Sequence, residues 1–124
     1  MPKLTRVAPE VPALNLDESL RYYSTRLGFE IEMIMPERDY AIVQRDGVAL
    51  HLFQGSANSH SPVAFHIFTN ELEELYRELQ RRGAEVRQPI VSKPWGSRDF
   101  RIIDPAGNEI KFTEPLPEGA DVLP

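Results

Sequence analysis

The sequence predicts an α+β protein in which two tandem β-α-β-β-β units form a curved mixed sheet around a cleft. The first observation behind this prediction is an internal repeat, because five positions of the first half recur in the second half at an offset of 55 residues. The second is the order of the predicted elements, since segments with strand periodicity and segments with helix periodicity follow one another in the same way in both halves. The repeated pairs are Asn15 and Asn70, Glu18 and Glu73, Leu20 and Leu75, Gly28 and Gly83, and Glu30 and Glu85. Five matches at one offset indicate a duplicated unit.

Each unit contains one predicted amphipathic helix. The helices are expected to begin after Asn15 and Asn70, because Asn is a good N-cap and a Glu three residues later completes a capping box. Apolar side chains then follow at helical spacing. Gly28 and Gly83 are expected to end the helices in the left-handed conformation that glycine adopts most easily.

One predicted strand precedes each helix and three follow it. The leading strands are expected at Leu4–Val11 and Pro62–Thr69. The last two strands of the first unit flank Asp46-Gly47, a strong hairpin signal. Those of the second unit flank Asp104–Asn108, where Asp, Pro and Gly each favour a tight turn. One unit cannot close its own sheet, so two are expected to pair around a cleft with the helices outside, and such clefts bind small ligands.

The 124 residues are expected to form a single domain, since a chain of this length buries one core. The first unit is predicted over about residues 4–54 and the second over about residues 62–114. A linker rich in Ser, Asn and Gly, residues 54–61, joins them. Pro115–Pro124 is a proline-rich tail that is expected to pack loosely.

Composition argues against several classes of function. The chain has no cysteine, which excludes disulfides, thiolate metal sites and cysteine nucleophiles. Its net charge is −5 and it has no basic patch interleaved with aromatics, so a nucleic-acid partner is not expected. No apolar run is long enough to cross a membrane and the start lacks a signal-peptide core, so a cytoplasmic protein is expected. No nucleophile-base pair, phosphate loop or catalytic carboxylate pair is recognisable, which favours binding without a cofactor over catalysis.

The single tryptophan, Trp95, is the most informative candidate residue. A lone Trp in a small domain is commonly part of the core. Here Pro94 restricts the residue before it and Gly96 permits an unusual backbone angle, which suits a loop that presents the indole. Tyr40 opens a strand after a charged stretch, so its ring is expected at the rim of the cleft.

Four motifs carry a resemblance to a known family. They are Arg26-Leu27-Gly28-Phe29, Gln44-Arg45-Asp46-Gly47, Pro94-Trp95-Gly96 and Asp104-Pro105-Ala106-Gly107-Asn108. Over roughly residues 4–114 the chain resembles the bleomycin resistance proteins of the vicinal oxygen chelate superfamily, which also contains glyoxalase I, fosfomycin resistance enzymes and extradiol dioxygenases. The resemblance implies antibiotic resistance by binding, in which a homodimer without a metal sequesters a flat, partly cationic ligand of the bleomycin type.

The resemblance also implies the residues of the ligand site. Trp95 and Tyr40 correspond to aromatic positions that sandwich a flat drug across two subunits, and such stacking contributes about 1 kcal/mol per ring pair beyond the buried area. The further candidate ligand-binding residues are Phe53, His66, Phe100 and Lys111. Pro9 is a candidate hinge for exchange of the first strand between subunits, which makes a domain-swapped dimer the expected assembly.

The enzymes of the superfamily hold a divalent metal with residues from the first and last strands of each unit. The corresponding positions in this sequence are Ala8, His51, Ala64 and Lys111. Alanine cannot ligate and a lysine ammonium has no acceptor, so no metal site is expected. A shift of two residues would instead place Glu10 and His66 with His51 as a ligand set. The alternatives are therefore a metal-dependent glyoxalase-like lyase, isomerase or dioxygenase, and an interaction module without a small-molecule ligand.

Overall fold

The computed structural model describes residues 1–115 and confirms the α+β class and the two β-α-β-β-β units. The elements of the first unit are β1 (Glu10–Ala13), α1 (Leu16–Thr25), β2 (Glu30–Ile34), β3 (Tyr40–Arg45) and β4 (Val48–Gln54). A short 3-10 helix (Ala57–Ser59) lies in the linker. The elements of the second unit are β5 (Ala64–Phe68), α2 (Leu72–Arg81), β6 (Val86–Ser92), β7 (Arg98–Ile103) and β8 (Glu109–Glu114). The predicted tail lies outside the described residues from position 116 onwards.

Each unit forms its own mixed sheet of four strands. Sheet 1 has the strand order β1-β4-β3-β2 and sheet 2 has the order β5-β8-β7-β6. In both sheets the first strand of the unit runs parallel to the last, and the other neighbours are antiparallel. Within residues 1–115 neither helix is long and apolar enough to cross a membrane.

The first strand begins later than predicted. Pairing with β4 covers Glu10–Ala13 and not Leu4–Val11. The backbone carbonyl of Pro9 accepts a hydrogen bond from the His51 amide at 3.0 Å, which marks the start of the pairing. Proline has no N–H to donate to a ladder, so pairing is limited at this position. Leu4, which lies on the segment before Pro9, has a fully exposed side chain.

The helix termini agree with the sequence at three of four ends. Asn15 caps α1, with its side-chain oxygen accepting from the Glu18 amide at 3.0 Å. Gly28 and Gly83 have φ values of +74° and +82°, as predicted for residues that end helices. The prediction of Asn70 as a cap was wrong, because α2 starts one residue later, with Glu71 at the cap position and no side-chain cap bond.

One hydrophobic core joins the two units. It contains residues of both helices and of both sheets, among them Leu20, Leu27, Val43, Leu50, Leu72, Leu79, Ile102 and Ile110. A buried polar link lies beside it, where the Tyr23 hydroxyl on α1 donates to Asp104 at 2.8 Å in the β7–β8 turn. The Asn108 side chain of the same turn donates to the Pro12 carbonyl on β1 at 2.8 Å. The predicted turn therefore also holds the two units together.

A second polar link connects the β3–β4 hairpin to α2. Glu78 on α2 accepts two hydrogen bonds from Arg45, at 2.7 and 3.1 Å, and one from Arg82 at 2.8 Å. The hydrogen bonds from Arg45, followed by those from Arg82, hold the pKa of Glu78 below its ordinary value. A carboxylate with a lowered pKa stabilises the fold at neutral pH and loses that contribution as the pH falls through its pKa.

Replacing Glu78 by Gln is expected to lower the free energy of unfolding by about 1 kcal/mol at pH 7, since charged hydrogen bonds at a half-buried site are lost. The difference from the parent protein should narrow as the pH falls below about 4.3, the ordinary pKa of glutamate, and through the lowered pKa of Glu78. Urea unfolding at pH 7 and pH 3 measures both values. Glu74→Gln is the control, because Glu74 is exposed on the same helix and has no ion pair among the described residues. Equal losses in the two variants would contradict the assigned role of the link.

Candidate functional site

Each sheet packs one face on the core and leaves the other face open. Along β3, for example, Ala41 and Val43 are buried while Tyr40, Ile42 and Gln44 are partly exposed. The open face of sheet 1 carries the side chains of Glu10, Tyr40, Ile42, His51 and Phe53. The open face of sheet 2 carries those of His66, Phe68, Asp99, Arg101, Lys111 and Thr113. These two open faces hold four of the six predicted ligand residues, namely Tyr40, Phe53, His66 and Lys111.

A hydrogen-bonded group of three side chains lies on the open face of sheet 1. The Tyr40 hydroxyl lies 3.0 Å from a Glu10 carboxylate oxygen and 2.7 Å from Nδ1 of His51. If the hydroxyl donates its one hydrogen to Glu10, Nδ1 of His51 donates to the hydroxyl oxygen and Nε2 is left as an acceptor. Loss of hydration raises the pKa of Tyr40, and the hydrogen bond to Glu10 raises it further. The phenol therefore stays neutral and its ring is held in place.

The open face of sheet 2 has a different polar arrangement. The Thr113 hydroxyl donates to the Lys111 carbonyl at 3.0 Å, so its oxygen accepts from Nδ1 of His66 at 2.8 Å. The His66 ring stacks on Phe68 with the centroids 5.8 Å apart and an angle of 20° between the planes. Phe68 is 62% exposed, although core packing is the default for a strand phenylalanine. The face thus presents an aromatic surface next to polar groups.

The strand register corrects the predicted metal positions. Glu10, and not Ala8, lies opposite His51, and His66, and not Ala64, lies opposite Lys111. The late start of β1 accounts for the change in the first unit. Glu10 and His51 belong to sheet 1, whereas His66 belongs to sheet 2. Among residues 1–115, no three His, Asp or Glu side chains come close enough to hold a metal ion, so the donors of one chain do not fit a catalytic metal site.

Trp95 lies in a tight turn at the entrance to β7. The Gly96 amide donates to the Lys93 carbonyl at 3.0 Å, and the Lys93 amide donates to the Ser97 carbonyl at 2.8 Å. Gly96 has a φ of +102°, which requires glycine-like freedom. The Trp95 side chain is 56% exposed, so it is not part of the core.

Phe100 does not lie where the sequence analysis expected it. It is 0% exposed and packs edge-on against Tyr76 at 4.9 Å and face-on against Phe112 at 5.2 Å. The register explains this position, because Phe100 pairs with Phe112 on the core side while its neighbours Asp99 and Arg101 point to the other face. Phe100 is therefore a core residue and not a cleft residue. Phe53, by contrast, is half-buried beside Tyr40 on the open face of sheet 1.

A cavity of about 500 Å³ lies elsewhere, between the β3–β4 hairpin and α2. Its lining includes Phe29, Val48 and Leu75, together with Arg45 and Glu78. Phe68 is part of its lining, but Trp95, Tyr40, His51 and Lys111 are not. We place the candidate site on the open faces, because Tyr40, His66 and Lys111 lie there, whereas the cavity is lined by Arg45 and Glu78, which bind each other.

Arg101 and Thr113 were missed by the sequence analysis. Each reaches the site through cross-strand pairing, Arg101 opposite Lys111 and Thr113 opposite Asp99. The only signal for them in the sequence is the alternation of polar and apolar residues along β7 and β8. Alternation does not show which face of a strand is open.

Comparison with known proteins gives a family and several similar structures. The model of the Glyoxalase/Bleomycin resistance protein/Dioxygenase superfamily matches residues 4–112. A bleomycin resistance protein of Geobacillus stearothermophilus is 24% identical over 127 residues, which cover 87% of this chain and 95% of the relative. The bleomycin-binding protein of Streptomyces verticillus in complex with copper(II)-bleomycin is 25% identical, with a TM-score of 0.79 and coverage of 93% of this chain and 99% of that one. A lactoylglutathione lyase of Agrobacterium tumefaciens shares the fold at 21% identity, with a TM-score of 0.76 and coverage of 97% and 100%.

Proposed function

The chain belongs to the glyoxalase/bleomycin resistance protein/dioxygenase superfamily, and from that premise we propose that it is a metal-free binding protein that sequesters a flat, partly cationic molecule of the bleomycin type. Such a protein confers antibiotic resistance by binding the drug and makes or breaks no bond. The observation that carries the proposal is Trp95, which is more than half exposed on a turn held by two backbone hydrogen bonds. An exposed indole on a rigid turn is a suitable surface for stacking a flat ring.

The other aromatic member of the proposed site is Tyr40. Its hydroxyl is engaged by Glu10 and His51, so little side-chain freedom remains to be lost when a ligand stacks on the ring. Phe53 lies beside it and extends the apolar surface. Glu10 and Glu30 give the open face of sheet 1 a negative charge that suits the cationic part of the ligand. His66 and Lys111 line the opposite side in this proposal.

We propose that the site is completed by a homodimer in which residues 1–9 of each chain exchange. Each sheet of one chain presents an open face, and a cleft needs two such faces. The segment before β1 supports exchange, because Leu4 and Val7 are exposed and Pro9 stiffens the connection to the strand.

Sedimentation velocity should show a dimer at micromolar concentration. Replacing both Leu4 and Val7 by Ser is expected to raise the dimer dissociation constant at least about tenfold, since two buried aliphatic side chains would be lost from the contact. Thr5→Ser is the matched control on the same segment and should dissociate like the parent protein. A monomer at all concentrations would contradict the assembly.

The binding proposal is tested by titrating the protein with bleomycin, metal-free and copper-bound, and following Trp95 fluorescence together with the heat of binding. Because Trp95 is the only indole, its emission reports on one turn of the molecule. Saturation at about one ligand per chain in both signals is expected. The absence of heat and of a fluorescence change at micromolar drug would rule out this ligand.

One observation favours the enzyme alternative. Glu10 and His51 are neighbours on sheet 1, and a carboxylate and an imidazole are both good ligands for zinc or nickel. A second chain would have to supply the remaining donors. Calorimetric titration with Zn²⁺ and Ni²⁺ separates the alternatives, since stoichiometric micromolar binding that is lost in Glu10→Gln would support a metalloenzyme. We expect no such binding.

A further inference from the structure

The open face of sheet 2 carries a row of polar side chains across all four strands. His66 on β5 pairs with Lys111 on β8, which pairs with Arg101 on β7, and Arg101 in turn pairs with Gln88 on β6. Residues paired in this way lie side by side on one face of a sheet. Lys111 and Arg101 are therefore neighbouring cations. Like charges on paired strands destabilise the sheet unless an anion neutralises them.

Acidic side chains compensate only part of this charge. Arg101 lies 3.6 Å from Asp99 and 3.4 Å from Glu109. Asp99 is shared with Lys93 at 3.9 Å, and Glu109 is shared with Arg87 at 3.5 Å. Among residues 1–115, four cations, including Lys111, thus face two carboxylates, so two positive charges are in excess on this part of the sheet.

Within the described residues, Lys111 is the cation of this row without a counter-charge. It is half-buried, and none of the acidic side chains within residues 1–115 forms an ion pair with it. An ammonium group has three donors and no acceptor, and its burial is costly when no anion accompanies it. The neighbouring Arg101 has a buried Nε that lies 3.6 Å from the Asp99 carboxylate and makes no hydrogen bond in the described part of the chain. The Lys111 ammonium is therefore a donor that an anion would satisfy, and Arg101 lies beside it.

We infer that this row is an anion-binding subsite, and that the ligand of this protein carries an oxyanion, either a carboxylate or a phosphate, next to its flat aromatic part. Lys111 binds the oxyanion, and Arg101 adds a positive field beside it. The aromatic part rests on Phe68, which lies two residues after His66 on the same face and is 62% exposed. The inference rests on the proposed binding function and adds the charge of the ligand. Because the open face of sheet 1 is acidic and this subsite binds an anion, the ligand is expected to carry charges of both signs.

The test compares three probes of one ring system by calorimetry: 2-naphthoate, 2-naphthyl phosphate and the neutral 2-naphthamide. The parent protein is expected to bind at least one of the two anions about tenfold or more tightly than the amide, since hydrogen bonds to charged groups are the strong ones. The anion that gains more identifies the oxyanion as carboxylate or phosphate. Lys111→Met should abolish the preference for an anion over the amide. Arg77→Met removes an exposed cation on α2 and should leave all three affinities unchanged.

Four outcomes overturn the inference. Binding of the amide without any preference for an anion removes the subsite but leaves the proposed binding function intact. A preference that persists in Lys111→Met assigns the anion to another cation. A preference that appears only in Glu10→Gln shows that Glu10 of a second copy neutralises Lys111, which makes the row part of the dimer contact. Failure of all three probes to bind overturns the inference and the aromatic cleft on which it rests.

Discussion

Replacing Asp104 by Ala is expected to lower the free energy of unfolding by at least about 3 kcal/mol, because several buried donors would lose their acceptor at once. The Asp104 carboxylate is almost fully buried and accepts from the Tyr23 hydroxyl at 2.8 Å. It also accepts at 2.9 Å from the amides of Ala106 and Asn108 and from the Asn108 side chain. Each buried donor left without a partner costs about 1–3 kcal/mol. Urea unfolding measures the loss.

Two further variants separate this role from a general effect of removing a carboxylate. Asp39→Ala removes an exposed aspartate and should change the free energy of unfolding by less than about 0.5 kcal/mol. Tyr23→Phe removes one hydrogen bond only and should cost about 1–2 kcal/mol. If Asp104→Ala costs no more than Asp39→Ala, the buried network does not hold the two units together.

The same network predicts a dependence of stability on alkaline pH. Burial, with the neighbouring Asp104 carboxylate, raises the pKa of Tyr23 well above its ordinary value of about 10. The stabilising contribution of a group whose pKa is raised by folding is complete below its unfolded pKa and falls as the pH rises above that value. Above pH 10 the free energy of unfolding of the parent protein should fall by about 1.4 kcal/mol per pH unit because of Tyr23. Tyr23→Phe should lack this part of the pH dependence. Parallel slopes in the two proteins would contradict the assignment.

Replacing Trp95 by Ala is expected to weaken the binding of bleomycin or its copper complex about 30-fold or more, which corresponds to the 2 kcal/mol or more typical of a dominant aromatic contact. The free energy of unfolding should change by less than about 0.5 kcal/mol, because the side chain is more than half exposed. Calorimetry measures the affinity and urea unfolding measures the stability.

Trp95→Phe serves as the matched variant, since it keeps an aromatic face on the same turn. Its affinity is expected to fall by less than about tenfold. A large loss of stability in Trp95→Ala would instead show that the indole supports the β6–β7 turn. Unchanged affinity in both variants would remove Trp95 from the site.

Short-range chemistry accounts for the parts of the fold that the sequence predicted well. The cap at Asn15 and the left-handed Gly28 depend on a few adjacent residues, so their signals are complete within a short window. The same holds for the Asp104–Asn108 turn and for the exposed turn of Trp95, where a proline and a glycine flank the indole. The 55-residue offset added the long-range information that the chain is a duplicated unit.

The misses all concern relations between distant segments. Period-two alternation shows that Phe100 faces the opposite side from Asp99, but it does not show which side is the core. The start of β1 was misplaced because the exposed residues before Pro9 have strand-like composition and no partner strand within the described chain. The prediction of Asn70 as the second helix cap was wrong because α2 begins where Leu72 is buried. The local preference for Asn at a cap position did not outweigh that burial.

The sequence by itself determined the β-α-β-β-β duplication, the turns and the presentation of Trp95, because each depends on contacts between near neighbours in the chain. The tertiary structure decided that Glu10 lies beside His51, that Lys111 lies between His66 and Arg101, and that Phe100 is buried. These are matters of strand register, and a register is selected by the packing of a whole sheet on its core.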